Sequence, residues 1–178
     1  MKTRPTAIDG VVVLEPGIHR DSRGWFVETW RQDVFDGLGL PHFVQDNWSR
    51  SERDVLRGMH YEVDDPQDQL VRVSHGAILD VVVDLRPGSP TFGRWHAEEL
   101  SDANARQVFM PGGIAHGFLV LSDTADVHYK CSRIWRKGNE AGLVWNDPAV
   151  GIHWPCRAPI VKERDAASQQ LAGERDRL

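Results

Sequence analysis

The sequence is short of the features that announce most kinds of chemistry. Its 178 residues contain two cysteines, Cys131 and Cys156, with no CxxC pair and no Cys/His spacing around them. That pattern offers neither a zinc module nor a disulfide framework, and two reduced thiols are expected. None of the eight histidines forms an HxH pair. A metal-dependent cupin would need such a pair, a downstream Glu and a further His, all aimed at one point. There is no GxSxG elbow and no P-loop, so a hydrolase or an ATPase has no support. No apolar run approaches transmembrane length, and MKTRPTAIDG lacks the apolar centre of a signal peptide; the chain reads as cytosolic. A net charge of −5 argues against nucleic acid or an anionic membrane as the main partner, while leaving room for a local basic pocket.

What is present is a succession of short apolar runs separated by turn residues. They cover 11–14, 25–30, 43–49, 55–62, 70–73, 77–85, 93–100, 107–110, 117–121, 127–134 and 142–145. Runs at roughly 8–12-residue spacing with Gly/Pro turns predict an all-β sandwich or barrel in one domain, residues 1–178. LDVVVDL is nearly continuously apolar and is expected deep in a sheet. Helix is scarce. Residues 31–38 carry Val34, Phe35 and Leu38 on one side, and 165–171 could form a second short helix. GERDRL at the end is expected to fray.

Polar residues interrupt these runs where a plain core would exclude them. VLRGMHYE places Arg57 and His60 in an apolar strand, either at a strand end leaving for solvent or aimed into a cavity. DSRGWFVETW has Arg23 and Glu28 beside Trp25 and Phe26; FVQDNWS has Gln45, Asp46 and Asn47 in a row. AHGF carries His116, and VHYKCSRIWRKGNE carries Tyr129, Trp135 and Glu140. In a jelly roll, alternate residues of the inner face point inward, and polar ones there line a pocket. Taken singly, each has an ordinary structural explanation. His19, His42, His75, His96, His128 and His153 are assigned to that class, and Arg23 with Glu28 could be a surface ion pair of little energetic weight. Glycines beside His60 and His116 set those two apart, since glycine lets a ligand approach the backbone.

In their order along the chain, DSRGWFVETW, FVQDNWSRS, VLRGMHYE, QLVRVSHGAILDVVVDLRPGSPTFGRW, MPGGIAHGFLVLS and GLVWNDPAVGIHWP resemble the dTDP-4-dehydrorhamnose 3,5-epimerase family. The resemblance implies a cupin-type jelly roll with a few short helices and a homodimer. It also implies epimerisation at C3 and/or C5 of a nucleotide-linked 4-keto-6-deoxyhexose, for polysaccharide or natural-product sugar synthesis. No cofactor is required, because the C4 ketone is itself the electron sink. A proton next to that ketone is acidic, and histidine, with an unperturbed pKa near ~6.5, suits its removal.

Carried over residue by residue, the resemblance makes His60 the base, Asp165 its orienting partner and Tyr129 the acid on the opposite face. Arg57 and His116 would contact the sugar or diphosphate. Arg23, Phe26, Glu28, Gln45, Asp46 and Asn47 would hold the nucleotide, in the family partly from the neighbouring subunit. Trp135 would stack on the base, and Glu140 and Arg164 would complete the nucleotide and phosphate contacts. Three positions depart from the family pattern: Gln69 stands in place of lysine before LVRV, Glu62 in place of Gln, and Arg164 in place of lysine. A lysine at 69 would face the negative charge growing on the C4 oxygen. A neutral donor contributes about 0.5–1.5 kcal/mol against about 1.5–3 for a charged one, a deficit equivalent to roughly 5–30-fold in rate. The changes suggest an altered substrate or a single inverted centre. A nucleotide-sugar-binding or ketoisomerase relative without epimerase activity, and a metal-dependent cupin, are the alternatives.

Overall fold

Period-two segments bury one face each, and here they close on one another as two sheets. The structure, a computed structural model, describes residues 1–174. Its strands are β1 (Lys2–Pro5), β2 (Val12–Glu15), β3 (Ile18–Asp21), β4 (Gly24–Val27), β5 (Gln45–Glu52), β6 (Val55–Glu62) and β7 (Gln69–His75). They continue with β8 (Ala77–Asp84), β9 (Trp95–Ser101), β10 (Gln107–Met110), β11 (Ile114–Val120), β12 (Thr124–Cys131), β13 (Glu140–Gly142) and β14 (Ile160–Val161). Three short helices complete the described chain: α1 (Gln32–Gly37), α2 (Glu163–Ala166) and α3 (Leu171–Glu174).

One sheet runs β1-β2-β10-β7-β12-β5 and the other β13-β6-β11-β8-β9. β14 adds to β6 in parallel, and β3 pairs with β4 as a separate hairpin. The inner faces meet in a core built from both sheets, with Val13, Val71, Val108 and Val127 from the first against Ile78, Val82, Phe118 and Val120 from the second. This is the expected all-β jelly-roll architecture. Outside the first sheet, α1 seats Phe35 against Leu14, Leu70 and Phe109, with Val34 alongside; Leu38, expected on that face, caps the helix and is exposed. Outside the second sheet, Leu143, Val150 and Leu171 of the C-terminal segment cover Met59, Tyr61, Val81 and Val83. That wrapping carries the C-terminal segment back to β6.

The expected runs match the central strands, and the differences lie at the edges. The run at 25–30 ends as a strand at Val27, and that at 127–134 ends at Cys131. At 142–145 only Gly142 lies in a strand. β1, β3 and β14 were not expected; they are largely exposed and so bury no alternate face to leave a pattern. The helix expected at 165–171 is instead two separate turns: Ala167 caps α2, and Gln169 pairs with Leu143 beside the sheet, its carbonyl accepting the Val144 N–H. Of the GERDRL tail, residues 175–178 lie outside the described residues.

One irregularity shapes the site. His116 faces His60 and Phe118 faces Arg57, so β6 spends three steps where β11 spends two. This is a bulge, and the extra residue shifts the parity of β6. Arg57 and His60, three apart, therefore both face inward instead of lying on opposite faces. Glycine makes the bulge possible. Gly58 has φ +110°, and a Cβ there would lie 2.6 Å from both Gly117 Cα and the His116 oxygen. A Cβ on Gly117 would lie 2.6 Å from Met59 Sδ. These glycines thus admit a neighbouring strand, and Gly117 also lines the cavity described below. Gly58→Ala should lower stability by about 2–4 kcal/mol, read as a Tm drop of roughly 5–15 °C. An unchanged Tm would remove the steric role.

Candidate active site

Between the sheets, β5, β6, β7, β11 and β12 line a cavity of about 690 Å³, with residues of the C-terminal segment forming a further wall. That is within the ~300–1,000 Å³ typical of small-molecule pockets. His60, Arg57, His116, Tyr129, Gln45, Asn47, Gln69, Trp135, Glu140, Arg164 and Asp165 line it. The inner stripe of β5 is polar throughout, running Gln45, Asn47, Ser49, Ser51. A core strand could not tolerate that stripe; a pocket wall can. Asp46 alternates to the other side of the sheet, where Lys130 pairs with it at 2.7 Å. It does not join the cavity.

His60 and Asp165 are 105 residues apart in sequence and in direct contact, Nε2 to Oδ1 2.9 Å. The geometry follows from how β6 is edged. β13 pairs with its residues 60–62 and β14 with 55–56, leaving a gap at the bulge. Asp165, on α2, fills that gap and accepts the Gly58 N–H at 3.3 Å. The carboxylate is 3 % exposed. Burial opposes its charge, but hydrogen bonds from His60, Gly58 and Arg164 outweigh burial and hold it below the usual carboxylate range. An ionised Asp165 accepts from Nε2–H, and in that tautomer the lone pair lies on Nδ1, which is then the base.

Tyr129 stands on the opposite sheet. Its neighbours in register are Asn47 and Val71, and it packs against the main core. Burial, with smaller contributions from Cys131 and Glu140, pushes its phenol above the ordinary value. It is a proton donor at neutral pH. Cys131 beside it is buried and pushed up to about 11, an inert thiol; both cysteines are free.

His116 lies directly across from His60 on β11, and its Nε2 is 2.6 Å from Asp80 Oδ1. The cavity thus holds two histidines, each backed by a buried aspartate. Asp80 was missed in the sequence, although a carboxylate inside LDVVVDL was a visible signal. Ser51, which takes the Arg57 Nε hydrogen bond at 2.8 Å, left no signal. Trp135 sits at the mouth, its backbone N–H donating to Gln45 Oε1 at 2.9 Å. Glu140 lies opposite Glu62 on adjacent strands, and Arg164 bridges to Glu140. Arg57 and Lys162 add further positive charge to the wall.

Arg23, Phe26 and Glu28 are not brought here. Arg23 and Phe26 line a surface concavity on the β3–β4 hairpin with Trp25, and Glu28 lies near α1, paired with Arg31. Trp25 is 51 % and Phe26 68 % exposed. None of the six histidines set aside as structural lines the cavity. Among the described residues no three His, Cys, Asp or Glu side chains converge as a metal-ligand set.

Comparison with known proteins points to the same chemistry. A model of the family described as dTDP-4-dehydrorhamnose 3,5-epimerase matches residues 5–173. A dTDP-4-dehydrorhamnose 3,5-epimerase of Pseudomonas aeruginosa is 47 % identical over 175 residues, 97 % of each chain. A dTDP-4-dehydrorhamnose 3-epimerase of Streptomyces niveus is 39 % identical over 179 residues, 99 % of this chain and 86 % of its own. The crystal structure of a dTDP-6-deoxy-D-glucose-3,5-epimerase from Legionella pneumophila, in complex with dTDP-4-keto-L-rhamnose, superposes with a TM-score of 0.92 at 42 % identity, covering 96 % of this chain and 93 % of the other. With a family model matched over residues 5–173 and relatives of this identity and coverage, this chain belongs to the dTDP-4-dehydrorhamnose 3,5-epimerase family.

Proposed function

We propose that the chain epimerises a dTDP-linked 4-keto-6-deoxyhexose at carbons flanking the C4 ketone. The observation that carries this is the placement of base and acid on opposite walls. His60 projects from β6 of one sheet and Tyr129 from β12 of the other. His60 removes the proton on C3 or C5, and the C–H electron pair moves through the ring to the C4 oxygen as an enolate. Tyr129 then gives its phenolic proton to the opposite face of that carbon, and the electron pair returns to re-form the ketone. His60 ends as imidazolium, stabilised by Asp165, and Tyr129 as phenolate; solvent exchange resets both. Neither group changes oxidation state.

Arg57, Lys162 and Arg164 supply positive charge for a diphosphate, and Trp135 offers a face for the nucleotide base. The exposed Phe26, with Arg23, is suited to complete the nucleotide site of a neighbouring subunit in a homodimer. Glu28, near α1, would reach it from beside the hairpin. We read the dimer as cytoplasmic; among the described residues no helix is long and apolar enough to cross a membrane. Sedimentation of a dimer, together with a raised KM in Phe26→Ala, would support this part; a monomer with full activity would overturn it.

The testing experiment is incubation with dTDP-4-keto-6-deoxyglucose in deuterated water, followed by mass and NMR analysis. Deuterium at C3 and C5 is expected. Its complete absence would sink the proposal. Incorporation at C3 alone would identify a 3-epimerase, a second reading favoured by Gln69 lining the cavity where the family pattern has lysine. Gln69→Lys should accordingly raise kcat by roughly 5–30-fold. A rate that does not rise would mean another group already neutralises the enolate.

A further inference from the structure

Nε2 of His60 has two neighbours competing for one position. Asp165 Oδ1 lies 2.9 Å away and Arg164 Nη2 3.0 Å away. An ionised carboxylate only accepts, and a guanidinium only donates. With a proton on Nε2 the ring bonds to Asp165 and leaves Nδ1 as the base. With the lone pair on Nε2 the ring accepts from Arg164, and Nδ1 carries the proton. The two contacts therefore belong to two different tautomers. Resting on the acid–base reading of His60 given above, we infer that Arg164 is a positioning residue that holds His60 toward the unreactive tautomer until an anionic ligand draws the guanidinium away.

The guanidinium is placed to do this. Its planar fork touches three groups together: Glu140 and His60 through Nη2, and Asp165 Oδ1 through Nε at 3.3 Å. A lysine ammonium is a single point charge and lacks such a fork. The Arg164 side chain is more than half exposed and faces the cavity, with Lys162 two residues before it. A diphosphate carries more negative charge than Glu140 and competes for the same cation. Proton transfer also requires the departure. Once His60 is imidazolium it has no lone pair for Arg164, and two like charges would stand 3.0 Å apart. Glu62, His116 and Tyr129 also face this region of the cavity or its edge, and they are common to the variant below.

The test uses the intact chain labelled with 15N-histidine, with the His60 ring signals assigned by their loss in His60→Ala. Without added nucleotide, Arg164→Met should shift the His60 ring toward the Nε2-protonated pattern relative to the parent. Saturating dTDP should produce the same shift in the parent and none in the variant. The seven other histidines serve as the control for folding. Identical His60 patterns in parent and variant would overturn the inference, as would dTDP that fails to bind or binds without moving the ring signals. These spectra need no turnover. A chain that gave no deuterium incorporation would defeat the proposed function and leave the tautomer result standing or falling by itself.

Discussion

With His60 replaced by alanine, turnover is expected to fall by roughly 10²–10⁴-fold, the range general base catalysis supplies, and solvent deuterium should no longer enter the sugar. The reason is positional. His60 is the group on the β6 wall whose reactive, Nε2-protonated tautomer is supported by a buried, ionised aspartate. Its removal also strands Asp165, which keeps only the Gly58 N–H and Arg164. A loss of about 1–3 kcal/mol in stability follows. Asp165 titrates below its ordinary value in the folded chain, so its contribution is present above about pH 4 and is lost as the pH falls through the depressed range. The His60→Ala penalty should therefore shrink as the pH falls through the depressed range of Asp165. Asp165→Asn makes a sharper version of the same test. Its amide would donate to Nε2, force the proton onto Nδ1 and remove the base, with a comparable fall in rate. Unchanged turnover in either variant would remove the assignment of the base.

Tyr129→Phe should separate the two half-reactions. The phenylalanine keeps the ring that packs against the core and loses only the proton donor. Product formation is expected to fall by roughly 10²–10⁴-fold. Washing of deuterium into substrate by His60 should persist at a larger fraction of the parent rate, since deprotonation and return on the same face need no acid opposite. Equal loss of both would argue against Tyr129 as the acid. Because burial raises its pKa, the parent enzyme should show no alkaline fall in kcat from Tyr129 below about pH 10.

Much of this was open to a reader of the residues. DSRGWFVETW, VLRGMHYE and MPGGIAHGF carried the family resemblance, and the turn-punctuated runs carried the all-β class. Gln45 and Asn47 were legible as pocket residues, yet Asp46 between them was not separable until its strand had a face. The same holds for Asp80. It is a carboxylate in an apolar run, and only its 2.6 Å contact with His116 gives it a part in the site. Arg23, Phe26 and Glu28 resemble site residues in sequence and lie away from the cavity within one chain.

Local chemistry decided the strands, the turns and the identity of the reactive side chains, because alternation, glycine and proline act over a few residues. Tertiary structure alone decided which way they face and whom they meet. Arg57 and His60 share a face only because β6 carries one residue more than β11 at Gly58. His60 has a carboxylate only because the C-terminal segment, packed over the second sheet through Leu143, Val150 and Leu171, brings Asp165 back across 105 residues to the unpaired stretch of that strand. Parity and long-range closure depend on the partner strand and the core, and neither is written in any short stretch of the chain.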